Sequence, residues 1–148
     1  MEIKILTCND GLWSNVANYA KHCSWKAGEF LSKKMDSNDF TDWERVFVAL
    51  VDGDIAGYCT LLKNDCIPNV EYTPYISFIF VGEQYRGNKI SEKLCLAAID
   101  YAGLVGFDKV FLVSDHVNLY EKYGFSVVDK KEAHWGAMQT IYRRGVCK

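Results

Sequence analysis

The chain has 148 residues but only two prolines, and it contains no low-complexity segment, charge block or linker-like stretch. Nothing in its composition divides it, so a single domain over residues 1–148 is the expectation. It also lacks a basic excess. A formal net charge of −2 does not supply the electrostatic footprint of a duplex binder, so no nucleic acid is expected as partner. No apolar run approaches bilayer length, and MEIKILTCND has no apolar core behind a basic start. Neither a membrane nor a secretory leader is therefore expected, and a cytoplasmic location is the default. Cysteine is present, but the patterns that would give it a task are missing. Cys8, Cys23, Cys59, Cys66, Cys95 and Cys147 are widely spaced, with no CxxC pair and no Cys–His ligand set. Reduced thiols acting as small hydrophobes are expected, and no metal.

What is present is the composition of a globular domain, 49% hydrophobic and 24% charged. Residues 2–7 alternate as a strand. Apolar residues recur at helical spacing over 12–23, and Ser24 suggests an N-cap for a helix over 25–35 that includes Trp25, Phe30 and Leu31. The stretch DSNDFTDWE (36–44) reads as a loop. RVFVALV (45–51) and IAGYCTLL (55–62) flank Asp52-Gly53-Asp54, a hairpin signal, and YISFIFV (75–81) reads as a buried strand. A helix starting near Asn88 carries Ile90, Leu94, Ala97, Ala98, Tyr101 and Leu104 on one stripe, with Gly103 and Gly106 at its end. A strand at 109–114, a short helix at 116–123 stopped by Gly124, and strands at 125–128 and 138–143 complete the order. Consecutive antiparallel strands followed by a β–α–β crossover predict an α/β (α+β) fold with a mixed sheet.

The most informative junction is EQYRGNKIS, residues 83–91, where strand 75–81 hands over to the long helix. A helix N-terminus offers unpaired N–H groups and the positive end of its dipole, so it is a ready anion site. Gly87 permits close backbone approach, Arg86 and Lys89 add charge, and Asn88 and Ser91 add side-chain donors, a set that suits a pyrophosphate. The competing reading is a turn with surface Arg and Lys. Neither GxxxxGK[ST] nor GxGxxG occurs, so an NTPase loop or a dinucleotide fingerprint is not supported.

FVGEQYRGNKISEKL followed by NLYEKYGF resembles the GNAT superfamily of acetyl-CoA-dependent N-acetyltransferases. Gln84 and Gly87 match the first two fixed positions of its Arg/Gln-x-x-Gly-x-Gly/Ala signature. Lys89 departs at the third, and Ser91 stands where many members have glycine. The second block, Leu119 to Phe125, is similar to LYEKxGF at full length, although Val113 occupies a position where many members carry asparagine. The two blocks cover residues 75–128, about a third of the chain.

The resemblance implies a GNAT-like sheet with a splayed central strand and acetyl-CoA as co-substrate, with no metal. It implies that Ile79, Phe80 and Val81 pair with the pantetheine arm, and that Gln84, Arg86, Gly87, Asn88, Lys89, Ile90 and Ser91 hold the pyrophosphate. Lysine tolerates helical φ/ψ, so the site is expected to survive Lys89. Tyr120 aligns with the general acid that protonates the departing thiolate, a step suited to a phenol. Glu71 is the first candidate base, with Asp115 and His116 as others. Asp115 is also a natural N-cap. The acceptor is expected to be a small-molecule or protein amine, selected by the N-terminal helices and the final hairpin, where Trp13, Trp25, Trp43 and Trp135 are available. A solvated loop with a packed Trp43 is the plainer reading of 36–44. A homodimer through the C-terminal strands is the assembly considered. The alternatives are a catalytically silent CoA-binding module and an unrelated phosphate-binding α/β domain.

Overall fold

A computed structural model describes residues 1–116 and 118–146. The strands are β1 (Glu2–Leu6), β2 (Arg45–Val51), β3 (Asp54–Leu62), β4 (Tyr75–Val81), β5 (Lys109–Ser114), β6 (Ser126–Glu132) and β7 (Met138–Gly145). The helices are α1 (Trp13–His22), α2 (Ala27–Asp36) and α3 (Ile90–Val105). The strands hydrogen-bond in the order β1-β2-β3-β4-β5-β7-β6. The β1–β2, β5–β7 and β6–β7 ladders are antiparallel, whereas β4 meets β5 in parallel, with Tyr75 opposite Phe111. This is the mixed, mostly antiparallel sheet expected from the sequence. The residues gather into two compact units, Met1–Thr60 with Phe78–Ala98, and Leu61–Ser77 with Ile99–Lys148.

In the first unit, α1 buries Trp13, Val16, Ala17 and Ala20, one face of a 3.6-residue period. They pack with Leu31 and Met35 of α2 and with Val46, Val48 and Leu50 of β2. Trp13 Nε1–H donates to Met35 O at 3.0 Å, so the largest ring of the cluster also has its polar atom matched. The β2–β3 hairpin turns as its Asp-Gly pair predicts, with φ of 50° at Asp52 and 84° at Gly53. Further along β3, Gly57 lies so close to β4 that a Cβ there would sit 2.5 Å from Phe80 O. Any side chain at Gly57 would push the two strands apart.

In the second unit, Tyr75, Phe111, Ile141, Ile67 and Ala133 form a separate buried cluster. The aperiodic segment 63–74 packs into it through Cys66, Ile67, Val70 and Tyr72.

Several expectations need correction. The second helix starts at Ala27, not Trp25, and Ser24 is not its cap; the Ser24 hydroxyl donates instead to Glu83 Oε1. Phe30 is 67% exposed, and the buried side of α2 is Gly28, Leu31, Ser32 and Met35. Leu104 is 86% exposed and does not belong to the buried stripe of α3, which follows Ile90, Leu94, Ala98 and Ala102 instead. Gly103 lies inside α3 and only Gly106 follows it. The short helix expected over 116–123 is a 3₁₀ turn at Tyr120–Tyr123, and Val117 lies outside the described residues. Asp115 does not cap it: the N-cap position of the turn is Leu119, with no side-chain cap bond. Strands β6 and β7 are longer than expected.

Cys8, Cys23, Cys59, Cys66 and Cys95 are free thiols, and Cys147 lies outside the described residues. Among the described residues, no helix is long and apolar enough to cross a membrane.

Candidate active site

The junction 83–91 belongs to the first unit. After β4, a 3₁₀ turn at Glu83–Tyr85 carries the chain to Gly87, Asn88 and Lys89, which are exposed, and α3 begins at Ile90, which is buried. Two residues here take the left-handed conformation, Gly87 at φ 88° and Lys89 at φ 61°. Glycine suits the first because it has no Cβ to clash. Nothing lies within 4 Å of where a Gly87 Cβ would be, so its role is conformational and the space above it is open. Lys89 does not have the helical φ expected for it; it holds a positive φ that costs a β-carbon-bearing residue roughly 1–2 kcal/mol. Its carbonyl still accepts the first helical bond, from Lys93 N–H at 3.1 Å. The first N–H groups of α3 therefore follow directly on a loop shaped by two positive-φ residues.

The other polar residues hold this loop. Asn88 Nδ2 donates to Tyr85 O at 3.0 Å. Arg86 turns back on the strand it follows. Its Nε donates to Val81 O at 3.0 Å, its guanidinium carbon lies 5.7 Å from the Phe80 ring centroid, and Nη2 lies 3.9 Å from Glu83 Oε1. Glu83 is held below the usual carboxylate range, chiefly by the Ser24 hydroxyl. Gln84 is exposed and lies beside a cleft. Ser91 is half-buried in the first turn of α3.

β4 ends in Ile79, Phe80 and Val81, just after a residue in the left-handed conformation. Phe78 has φ 51° inside the strand, a geometry that interrupts the regular pleat and re-aims the residues that follow. Trp25, 37% exposed, stacks on Phe80 with centroids 6.2 Å apart and planes 6° apart, and it meets Phe78 edge-on. Beside these aromatics, a cleft of about 900 Å³ is lined by Asn15, Tyr19, His22, Asp54, Glu83 and Tyr85 among others.

Tyr120 belongs to the second unit. It opens the 3₁₀ turn, is 6% exposed, and lies among the rings of His116, Tyr123, Phe125 and Tyr142 at 5.8–6.3 Å. Gly124 closes the turn at φ 88°, and Phe125 N–H returns to Tyr120 O at 3.1 Å. Tyr142 OH donates to His116 O at 2.7 Å and Arg144 Nη1 donates to Tyr123 O at 2.8 Å, so β7 braces the end of the turn and a residue ahead of it.

The base candidates Glu71, Asp115 and His116 are all exposed, Glu71 on segment 63–74 and the other two past the end of β5. Sequence reasoning passed over Asp65, a half-buried carboxylate on the same segment, bonded to Ser77 of β4. The available signal was length, since 12 residues without periodicity is long for a plain connector.

The sequence matches the model of the Acetyltransferase (GNAT) family over residues 14–125. No curated protein matches it. Among solved structures, an aminoglycoside 6′-N-acetyltransferase complexed with coenzyme A is 12% identical, with a TM-score of 0.76 over 100% of this chain and 98% of that one. A GNAT family acetyltransferase from Elizabethkingia anophelis with acetyl-CoA bound is 16% identical, with a TM-score of 0.67 over 97% of each chain. An acetyltransferase of the same family from Streptococcus pneumoniae is 18% identical, with a TM-score of 0.64 over 98% and 100%. Identities this low establish the fold alone.

Proposed function

The chain belongs to the GNAT acetyltransferase family, and from that premise we propose that it moves an acetyl group from acetyl-CoA to a primary amine in a ternary complex. The observation that carries this reading is the loop at Gly87 and Lys89. Two positive-φ residues lead without interruption into the N-terminus of a 16-residue helix, and open space lies over the glycine. A diphosphate fits such a loop because backbone N–H groups meet it in preset positions and the helix dipole adds to the attraction.

Acetyl-CoA supplies the activated acyl group as a thioester. The chain's own residues bind, orient and move protons. Residues 84–91 take the diphosphate. The backbone of Ile79, Phe80 and Val81, re-aimed by the left-handed Phe78, holds the arm, and one of its N–H groups polarises the thioester carbonyl. The amine nitrogen attacks that carbonyl carbon and the C–S bond breaks. Tyr120 gives its phenolic proton to the departing thiolate, and Glu71 receives the proton lost by the amine. The acceptor is a small-molecule amine or an exposed protein amine, and residues 1–148 act as one domain.

The decisive experiment is an acetyl-CoA turnover screen over amine classes, read by product mass because free thiols such as the exposed Cys8 would disturb thiol dyes. Acetylated product with stoichiometric free CoA is expected. Absence of product together with no CoA-induced rise in melting temperature would overturn the reading. Tight CoA binding with no product from any amine would instead identify a silent CoA-binding domain.

A further inference from the structure

The last residues of β4 do not offer their backbone groups to the same side. Gly82 N–H donates to Ala56 O of β3 at 2.8 Å. The peptide joining Val81 to Gly82 is planar and trans, so Val81 O points away from β3. Phe80 O points the other way, because a Cβ on Gly57 of β3 would lie 2.5 Å from it. The Val81 N–H shares a peptide with that carbonyl and so also turns from β3. Past the left-handed Phe78, Val81 therefore carries a donor and an acceptor together on the edge away from β3, where an amide of the pantetheine arm could pair with both.

That acceptor already has a partner. Arg86 Nε–H donates to Val81 O at 3.0 Å, with the guanidinium 5.7 Å from the Phe80 ring centroid. Arg86 Nη2 lies 3.9 Å from Glu83 Oε1, the oxygen that also takes the Ser24 hydroxyl. The Arg86 side chain is nonetheless 56% exposed, and it adjoins Gly87, over which the space is open. Rotation about its side-chain bonds moves the guanidinium from the strand edge toward the loop read above as the diphosphate site. A guanidinium bonds phosphate oxygens two at a time and more strongly than one neutral carbonyl. An amide N–H offered to Val81 O competes with a full positive charge, whereas a diphosphate draws that charge off. All these residues belong to the first unit.

We propose that Arg86 determines which thioesters the site accepts: it caps the Val81 carbonyl until a diphosphate draws it away. A donor that carries a diphosphate then docks its arm on Val81, and a bare pantetheine thioester meets a closed edge. This rests on the acetyltransferase reading above. Glu83 sets the balance as a positioning residue acting through Arg86. Its carboxylate, held by Ser24, keeps a counter-charge on the strand side and opposes the move.

The test compares CoA with pantetheine, which has the same arm and no phosphate. Wild type, Arg86→Met, Glu83→Gln and the double variant are titrated with each by calorimetry, and turnover of acetyl-CoA and S-acetylpantetheine is read by product mass. Arg86→Met should weaken CoA about tenfold and tighten pantetheine about threefold, with the two KM values shifting in the same crossed sense. A simple phosphate contact would leave pantetheine unchanged, and a loop brace would weaken both ligands. Either result overturns the proposal. Glu83→Gln should tighten CoA about two- to fivefold, the scale of an exposed ion pair, and the gain should vanish when Arg86 is already Met. A gain that persists in the double variant means that Glu83 repels the diphosphate directly, and it removes the positioning role. Crossed binding shifts with no acetylated product from any amine would leave the gate standing and remove the acetyltransferase reading. Acetylated product without the crossing would do the reverse.

Discussion

Loop 83–91 and segment 63–74 both flank β4, one following it and the other leading into it, and they are held in different ways. Within the first, apart from the Ser24 hydroxyl that reaches Glu83 at its start, the ties are local: Asn88 bonds to Tyr85, Arg86 reaches back to Val81 and Phe80, and two left-handed residues set the path. In the second, shape comes from a distance. Tyr72 reaches Asp129, Cys66 O takes the N–H of His134, and Asp65 spans a loop to Ser77. A loop written in local dihedrals suits a ligand part that does not vary, such as a diphosphate. A segment held by remote side chains changes shape when any one of them changes.

The largest effect is expected at Tyr120, in the same unit as segment 63–74. Tyr120→Phe should lower kcat by about a hundredfold, with the KM for acetyl-CoA little changed. A stopped-assay turnover rate across pH checks it, and an unchanged rate removes the acid role. Next is Gly57→Ala, which drives a Cβ toward Phe80 O, 2.5 Å away. Overpacking of this kind should cost about 1–3 kcal/mol in denaturant unfolding and disturb β4 where loop 83–91 leaves it.

Smaller and more local is the pair Gly87→Ala and Lys89→Gly. The first imposes a left-handed penalty of about 1–2 kcal/mol and should raise the KM for acetyl-CoA roughly tenfold. The second removes a comparable penalty while loosening the unfolded chain, so stability should move by less than about 1 kcal/mol. Equal responses at the two positions would break the account of this loop.

The smallest effect tests the remote tie. Asp129 is held below the usual carboxylate range, first by the Tyr72 hydroxyl and then by the Lys130 N–H. A depressed carboxylate contributes stability above its unfolded pKa and loses it as pH falls through the folded one. Tyr72→Phe should therefore be less stable than wild type by a constant amount above about pH 5, and the gap should close below about pH 4. A gap that persists into acid would mean that the tie works through packing rather than charge.

The same contrast explains what could be read in advance. Strand β4 and the Asp52-Gly53 hairpin were legible because their signal is periodic or dipeptide-sized. Loop 83–91 and the Tyr120 block were legible because their motifs are contiguous. Ser24 was misread as a cap because the carboxylate that takes its hydroxyl, Glu83, is 59 residues away. The left-handed Lys89 was invisible because lysine gives no hint of positive φ. Asp65 was missed for the reason that makes it interesting: its partner, Ser77, lies 12 residues further along the chain, on a strand recognisable only by its apolar pattern.

The sealed hydroxyl of Tyr75 has a consequence in time as well as in energy. A proton that no water can reach exchanges with solvent only when its cover lifts, so its exchange rate counts the openings of segment 63–74. Tyr75 is thus a natural clock for the opening of that segment.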